Sequence, residues 1–471
     1  MNKRIKVGIF FGGKSREREI SFAGGRTVYD NLDKRLFDPI PIFVDQSNRL
    51  IQLHWRYLYQ GTIRDFYEDC IPSYTPQRTG EYGTEVASSQ HLGPSIALEM
   101  LRETIDFAFL TLHGPYGEDG TMQGILDWLQ IPYSGSGILG TAIGRDKIVQ
   151  KKMMHAAGYA TAPDYVIDRS QWEGKLNKEH LFTSLIKDLS LPLVIKSPKE
   201  GSSIGVHILT RKDISAFIKA VDLSFFKETL SAKAWKQFTP KEQALWITQL
   251  VDFKTGIGLP LMVHNKVMHT HDQLLAYILA YFADHDDTLR FASLAGEAYV
   301  LVEAFLEGRE FSCIVLEEMG EEPIALPPTE ILKGALHFDY SAKYLPGLVR
   351  KETPMQLPAA QLEELQAACV ALFKDLNFQV YARIDGILCT DGKIYLNDPN
   401  TTAGMNPSSF LFHQAAEAGF NTSQLLTFLI RNSLAKHVYT YQAPLRVTEL
   451  LRIVDAYLQS ASTISRDGCH S

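Results

Sequence analysis

The apolar positions of residues 1–145 fall into short runs separated by polar, helix-like segments, which predicts an α/β unit built on a parallel sheet. Three of these runs are typical of buried strands: 5–13, 38–45 and 105–114. Residues 17–32 lie between the first two and have the pattern of a helix. Because ligands bind at the carboxyl ends of the strands in such sheets, we expect Glu17 and His113 to point at a common crevice.

The later part of the chain continues the mixed pattern. Residues 191–209 predict two strands around a loop of small residues, and residues 300–317 predict a strand, a turn and a second strand. The last region, from about residue 324 to residue 435, predicts a hairpin followed by a helix over SSFLFHQAAEAG.

Residues 222–298 separate two segments that otherwise belong together. They contain too many aromatic residues for a disordered linker. Five apolar residues follow helical spacing, so we predict a folded, mostly helical insertion: Leu274, Leu275, Ile278, Leu279 and Phe282. Its histidines and aspartates show no established spacing of metal ligands, and a solvated polar face is the favoured interpretation over a metal site.

The composition of the chain disfavours several kinds of partner and location. With 471 residues, of which 45% are hydrophobic, the chain is long enough for two or three cores. Its net charge of −7 and its lack of a basic tract disfavour nucleic acid as a partner. The most apolar later stretch, 274–282, is much shorter than a membrane span, and the N-terminus has the pattern of a first strand. The five scattered cysteines suit a reducing cytoplasm.

A short stretch near residue 390 carries the strongest sign of chemistry. An Asp-Gly pair at 391–392 between two β-rich runs predicts a two-residue hairpin turn. The resulting register would place Asp385 opposite Asp398 and Arg383 opposite Asn400. Two opposed carboxylates repel each other, and a divalent cation such as Mg²⁺ would relieve the repulsion. The alternative is an ordinary hairpin with solvated acids at its mouth.

Phosphate-binding patterns occur twice. Residues 8–15 match the P-loop pattern GxxxxGK[ST], but Phe10 and Phe11 continue a strand where the loop should begin, so we interpret this match as accidental. Residues 196–205, a lysine at a strand end followed by small residues, offer a better phosphate grip, although a surface hairpin fits equally well. Residues 300–310 would bind a base edge and, through Glu310, a ribose; a plain strand-turn-strand is equally compatible.

Several sparse motifs, in order along the chain, resemble the D-alanine–D-alanine ligases of the ATP-grasp superfamily. The resemblance runs from about residue 5 to residue 435, with interruptions at 46–95 and 222–298. Its motifs are FGGKSREREIS (11–21), LHGPYGEDGTMQG (112–124), IPYSGSGILGTAIGRDK (131–147), VIKSPKEGSSIGV (194–206), VEAFLEGREF (302–311), DYSAKYL (339–345) and the segment from ARIDGILC to YLNDPNTTAGMNPSS (382–409).

The resemblance implies a set of residues that bind ATP: Lys147 and Lys196 at the phosphates, with Ser203 in the same loop, Glu303 and Leu306 at the adenine, Glu310 at the ribose and Lys343 at the γ-phosphate. It also implies two Mg²⁺ or Mn²⁺ ions on Asp385, Asp398 and Asn400.

The same resemblance implies the residues that handle D-alanine. Glu17 would bind the ammonium of the first D-alanine, with His113 beside its carboxylate, and Ser409 would bind the carboxylate of the second. Arg383 and the Gly404 amide would stabilise the oxyanion. Ser202, Tyr344 and Glu17 would form a hydrogen-bonded set that locks a closing loop.

Two departures affect this assignment. Asp398 stands where the family usually has a glutamate, one methylene longer, and Ala403 stands where it usually has a proline. The implied activity is ATP-dependent ligation of two D-alanines for peptidoglycan. D-serine as the second substrate and a non-catalytic nucleotide-binding relative are the alternatives. Tyr344, in the AKY signature, disfavours D-lactate.

The implied organisation is an α/β, ATP-grasp chain that is commonly a homodimer. The expected segments are a Rossmann-like domain (1–145), a central ATP-grasp subdomain (146–221 and 299–323), the insertion (222–298), a catalytic ATP-grasp subdomain (324–436) and a tail (437–471).

Overall fold

The computed structural model describes residues 4–60, 63, 92–333, 349–440 and 444–467. The chain divides into two compact units. The first consists of Met1–Ala160, Gly308–Leu332 and Lys351–Ser471, and the second of Thr161–Glu307 and Lys333–Arg350.

The N-terminal part of the first unit is a mainly parallel α/β arrangement. In chain order its elements are β1 (Ile5–Gly12), α1 (Arg18–Asn31), β2 (Phe37–Val44), β3 (Leu50–Gln52), a 3-10 helix (Trp55–Leu58), β4 (Ser95–Ile96), a second 3-10 helix (Leu98–Met100), α2 (Leu101–Thr104), β5 (Phe107–Leu110), α3 (Thr121–Trp128), α4 (Ile138–Arg145) and α5 (Lys147–Ala156). The sheet order is β4-β3-β2-β1-β5, with β1 parallel to both β2 and β5. The predicted Rossmann-like sheet is confirmed.

The P-loop pattern at residues 8–15 does not form a loop. β1 continues through Phe10 and Phe11 to Gly12, and both phenylalanines are fully buried. Backbone amides that pair within a sheet cannot surround a phosphate, so the match is accidental, as the sequence indicates.

The second unit contains two antiparallel sheets. In chain order its elements are β6 (Asp164–Asp168), α6 (Arg169–Glu173), α7 (Lys178–Leu189), β7 (Leu193–Lys196), β8 (Val206–Leu209), α8 (Ile214–Ser224), β9 (Lys227–Ser231), α9 (Ala232–Gln237), α10 (Pro240–Val251), β10 (Leu261–Val263), β11 (Lys266–Met268), α11 (His271–Asp284), β12 (Thr288–Ser293) and β13 (Tyr299–Ala304). One sheet has the order β6-β13-β7-β8 and the other β11-β10-β12-β9.

The second of these sheets lies wholly in the insertion. The insertion has the helices that its pattern predicts, and α11 buries Leu274, Ile278 and Phe282. It also has a four-stranded sheet that the sequence did not indicate. The first and last strands of the insertion in chain order, β9 and β12, pair with each other although about sixty residues separate them, and a pairing of such long range leaves no local signal.

The C-terminal part completes the first unit. Its elements, with the strand ends at the unit boundary included, are β14 (Gly308–Leu316), β15 (Ile324–Ala325), β16 (Thr329–Lys333), β17 (Val349–Glu352), α12 (Ala359–Asp375), β18 (Tyr381–Cys389), β19 (Ile394–Asn400), α13 (Phe410–Glu417), α14 (Thr422–Thr440) and α15 (Leu445–Asp467). The sheet order is β17-β16-β14-β18-β19, and β15 also pairs with β14. The segment predicted as a tail is therefore largely helical.

The first unit buries residues from both ends of the chain in one core. Leu425, Leu429 and Val454, on α14 and α15, belong to the same buried cluster as Val7 and Phe43 of the parallel sheet. This packing fixes the N-terminal strands against the C-terminal helices. Among the described residues, no helix is both long and apolar enough to cross a membrane.

Candidate active site

Glu17 and His113 lie at the carboxyl ends of neighbouring parallel strands, as the sequence predicts. Glu17 immediately precedes α1, which follows β1, and His113 lies three residues after β5. Both side chains are buried. Arg145, at the end of α4, places its guanidinium 3.7 Å from a carboxylate oxygen of Glu17 and 3.5 Å from one of Glu118. The Glu118 carboxylate lies 3.1 Å from Nδ1 of His113 and accepts a hydrogen bond from the Gly114 amide at 2.7 Å.

The opposite charges of His113, Glu118 and Arg145 stabilise one another. Burial opposes the charged form of His113, but the Glu118 carboxylate outweighs burial and raises the pKa of His113, with a smaller contribution from Glu17. Burial likewise opposes the charge of Glu118, and His113, Arg145 and the Gly114 amide together lower the pKa of Glu118. His113 and Glu118 therefore each favour the charged form of the other.

Glu118 and Arg145 were not assigned a role from the sequence. Both lie within motifs that the resemblance uses, Glu118 in LHGPYGEDG and Arg145 in GRDK. Their position in these motifs is the one sequence signal that marks them. Their pairing with Glu17 and His113 depends on how β5, α4 and α1 pack, which no local pattern specifies.

The predicted hairpin forms, but its turn and part of its register differ from the prediction. Cys389, not Thr390, pairs with Lys393, and Gly392 adopts the left-handed φ of +85° that closes a three-residue loop. Asp385 then lies opposite Asn397, not opposite Asp398.

An extra residue in β19 restores the predicted register beyond this point. The register shifts between Arg383 and Asp385, and Arg383 pairs with Asn400 as predicted. Asp398 has a left-handed φ of +48°, which marks it as the bulged residue. The predicted opposition of Asp385 and Asp398 is therefore wrong, because the three-residue loop shifts the register by one residue and the bulge restores it only beyond Asp385.

Each of the two aspartates pairs with a cation. The Arg383 guanidinium donates to both carboxylate oxygens of Asp385, each at 3.1 Å, and Ser312 Oγ donates to Asp385 at 2.7 Å. The Lys147 ammonium lies 2.8 Å from Asp398 Oδ1. Ser312 was also missed from the sequence, because it reaches Asp385 only through the pairing of β14 with β18.

The chemistry of Asp385, Asp398 and Asn400 fits Mg²⁺, since all three offer hard oxygen donors on the same hairpin. The described residues contain no group of three histidine, cysteine or acidic side chains that would hold a metal ion. With only two carboxylates available, a bound Mg²⁺ would need further oxygens from ATP phosphates or water, which is its usual mode of binding.

Ser409 and Gly404 lie after the hairpin. Ser409 caps α13, where its hydroxyl accepts a hydrogen bond from the Phe412 amide at 3.5 Å. Among the residues that the structure describes, none outside its chain neighbours has an atom within 4 Å of the place where Gly404 would carry a Cβ. Ala403, the departure from the usual proline, is 1% exposed and packs in the core.

Lys351 is a further cation on this side of the first unit. It donates a hydrogen bond to the Ser408 carbonyl at 3.0 Å. Burial lowers the pKa of Lys351, and the positive charge of Arg383 lowers it further. Lys351 belongs to none of the recognised motifs, so it was not assigned a role from the sequence.

The predicted phosphate loop and the adenine segment lie in the second unit. Lys196 ends β7 and forms a 2.5 Å ion pair with Glu303 of the neighbouring strand β13; both side chains are buried. Ser202 and Ser203 have left-handed φ angles of +52° and +59° in the loop after Lys196. Leu306 is half-buried just after β13.

Three other predicted residues, Glu310, Lys343 and Tyr344, are not among the described residues of the second unit. Glu310 lies on β14 in the first unit, where it pairs with Ile331 and Ile387. Lys343 and Tyr344 lie outside the described residues, so the predicted set of Glu17, Ser202 and Tyr344 stays a prediction.

Two family models match the chain. The one described as "D-ala D-ala ligase N-terminus" matches residues 6–136, and the one described as "D-ala D-ala ligase C-terminus" matches residues 288–431. Together they cover more than half of the chain.

Individual relatives agree with the family models. The chain is 29% identical over 437 residues to the D-alanine–D-alanine ligase of Desulfotalea psychrophila, an alignment that covers 92% of this chain and 96% of the relative. It is 27% identical over 434 residues to that of Geobacillus thermodenitrificans, again covering 92% and 96%. A crystal structure of the Bacillus anthracis D-alanine–D-alanine ligase complexed with ATP is 25% identical, with a TM-score of 0.55 and coverage of 93% of this chain and 100% of that one. The predicted ATP-grasp fold is confirmed, and the chain belongs to the D-alanine–D-alanine ligase family.

Proposed function

We propose that this protein joins two D-alanines into D-alanyl-D-alanine at the expense of one ATP. The observation that carries the proposal is the buried cluster of Glu17, Arg145, Glu118 and His113 at the carboxyl edge of the parallel sheet. A carboxylate and an imidazolium held together complement the ammonium and the carboxylate of one amino acid. Family membership and the relatives' printed activity support the same substrate.

The first step transfers the γ-phosphoryl group of ATP to a carboxylate oxygen of the first D-alanine, which yields an acyl phosphate and ADP. Glu17 would hold the ammonium and His113 the carboxylate, while Arg145 holds Glu17 in place. In the second unit, Lys196 would exchange its pairing with Glu303 for an ATP phosphate. Mg²⁺, when bound by Asp385, Asp398 and Asn400, would spread the charge of the phosphates.

In the second step, the neutral amine of the second D-alanine attacks the acyl carbon and inorganic phosphate leaves. Arg383 and the Gly404 amide would stabilise the negative oxygen of the tetrahedral intermediate. Asp385 and Ser312 hold the Arg383 guanidinium in position, since Arg383 and Ser312 both donate to the same carboxylate. Ser409, fixed as the cap of α13, would bind the carboxylate of the second substrate.

The test is D-alanine-dependent release of phosphate from ATP, with the product identified by mass spectrometry. We expect D-alanyl-D-alanine, ADP and phosphate in equal amounts. Parallel reactions with D-serine and D-lactate as second substrates decide between dipeptide and ester products. ATP binding without any D-amino-acid-dependent phosphate release would refute the ligase and favour the non-catalytic alternative. The implied homodimer and cytoplasmic location stay predictions.

A further inference from the structure

The insertion has a hydrophobic core of its own, to which the loop residue Ile204 also belongs, and most of it lies within residues 137–287, which the two family models leave unmatched. Its sheet and helices enclose a core with members on every element, including Leu230, Ile247 and Ile278. Helix α10, which Thr239 caps, and the long helix α11 pack with the sheet in this core. The insertion therefore has enough buried apolar surface to hold a fixed shape.

Contacts at Ile204 and Glu297 connect this subdomain to the predicted phosphate loop, residues 197–205. Ile204, in the loop, is 5% exposed and belongs to the insertion's core together with Phe226. Glu297, at the end of the insertion, is 8% exposed and accepts a hydrogen bond from the Lys199 amide at 3.1 Å. The insertion thus contacts the loop near both ends of the loop, at Lys199 and at Ile204.

The loop has a backbone that needs such support. Ser202, Ser203 and Gly205 all have left-handed φ angles, and this conformation is costly for the two serines. A Cβ on Gly205 would lie 2.2 Å from Ser197 Oγ, so only glycine fits there. The base of the loop is fixed by α8, because Ser197 Oγ donates to the Ser224 carbonyl at 2.7 Å and Ser224 Oγ donates to the Gly205 carbonyl at 3.1 Å.

We propose that the insertion holds the phosphate loop in its ATP-binding conformation, with Ile204 and Glu297 as positioning residues. The proposal rests on the proposed function in one respect, that residues 197–205 receive ATP phosphates. Ser224, at the junction of α8 and the insertion, fixes the base of the loop, whereas the insertion's core holds Ile204 and Glu297 holds the Lys199 amide. A loop held in advance does not lose its conformational freedom when ATP binds, so the insertion strengthens nucleotide binding without touching the nucleotide.

The test compares Ile204→Ala and Glu297→Ala with Ile247→Ala in the full chain. Ile247 is fully buried in the same core but lies on α10 and not in the loop, so its truncation controls for general loosening of the insertion. ATP affinity is measured by calorimetry, and exchange of the loop amides by hydrogen–deuterium exchange without nucleotide. If the loop keeps its binding conformation about a tenth of the time after losing an anchor, the Kd for ATP rises about tenfold.

We expect Ile204→Ala and Glu297→Ala to speed exchange of the amides of Lys199 and Ile204 and to weaken ATP binding, while Ile247→Ala leaves both near the parent values. Glu297→Gln keeps an acceptor oxygen and should restore both readouts. Unchanged amide exchange in both loop variants, or an equal effect of Ile247→Ala, would overturn the proposal. The exchange measurement needs no substrate, so a protein without ligase turnover would refute the proposed function while leaving this comparison decisive.

Discussion

Two substitutions of Asp398 test separately the charge of its side chain and the left-handed conformation of its backbone. Asp398 is the bulged residue of β19, with a φ of +48°, and its carboxylate lies 2.8 Å from the Lys147 ammonium. Asparagine tolerates left-handed φ angles as well as aspartate does, so Asp398→Asn removes the charge and leaves the bulge intact. Asp398→Glu keeps the charge and lengthens the side chain by about 1.5 Å, but it places a residue less suited to left-handed φ at the bulge.

The structure sets the size of each effect. The Lys147 and Asp398 side chains are 12% and 24% exposed, so their charged hydrogen bond contributes about 1.5–3 kcal/mol net. Because asparagine still accepts a hydrogen bond from Lys147, we expect Asp398→Asn to lower the free energy of unfolding by about 1–2 kcal/mol. Turnover should fall further, by roughly 10²–10³-fold, since the proposed Mg²⁺ ligand loses its charge. Asp398→Glu should retain turnover and lose about 1 kcal/mol of stability to the left-handed φ.

The assay is a Mg²⁺ titration of D-alanine-dependent phosphate release, with thermal unfolding measured on the same proteins. Asp391→Asn is the matched control, because Asp391 is an exposed residue at the turn of the same hairpin, where its side chain accepts from the Lys393 amide. This control should titrate like the parent. If Asp398→Asn matched the parent at every Mg²⁺ concentration, Asp398 would not be a metal ligand, and the hairpin would hold no two-carboxylate site.

Three further predictions concern other parts of the molecule. Arg383→Ala should lower kcat by about 10²–10³-fold with little change in the Kd for ATP, because it removes a proposed oxyanion donor; near-normal kcat would exclude that role. Glu118→Gln should lower the pKa of His113, so that the loss of kcat/KM for D-alanine at high pH moves to lower pH, and an unmoved pH profile would contradict the pairing. Excision of Lys227–Ala292, whose end residues pair with each other, and closure by a short flexible linker should leave a folded ligase with a raised KM for ATP; circular dichroism and kinetics check this, and an unfolded product would show that the main core needs the insertion.

The buried pair of His113 and Glu118 also predicts how stability depends on pH. The raised pKa of His113 means that its contribution is fully present below about pH 6.5 and is lost as pH rises through the raised value. The lowered pKa of Glu118 means that its contribution is present above its usual pKa and is lost as pH falls through the lowered value. Stability should therefore decline at both ends of this window, and Glu118→Gln should flatten the decline at the alkaline end.

The sequence alone determined the features that depend on neighbours along the chain. The buried strand through Phe10 and Phe11 excluded a P-loop, because an unbroken apolar run cannot also be a phosphate loop. The glycine at 392 located the hairpin, because few residues adopt the backbone of such a turn. The motif order identified the family, and the strand ends brought Glu17 and His113 to one edge of the sheet.

Only the tertiary structure decided the features that depend on distant parts of the chain. The three-residue loop placed Asp385 opposite Asn397, and the bulge at Asp398 restored the register at Arg383; the Asp-Gly pattern predicted neither. Arg145 reaches Glu17 across 128 positions, since helix α4 packs near the start of α1. The sheet of the insertion and the burial of Ile204 likewise join segments far apart in sequence. Hydrophobic periodicity reports which face of an element is buried, but it does not report which partner covers that face.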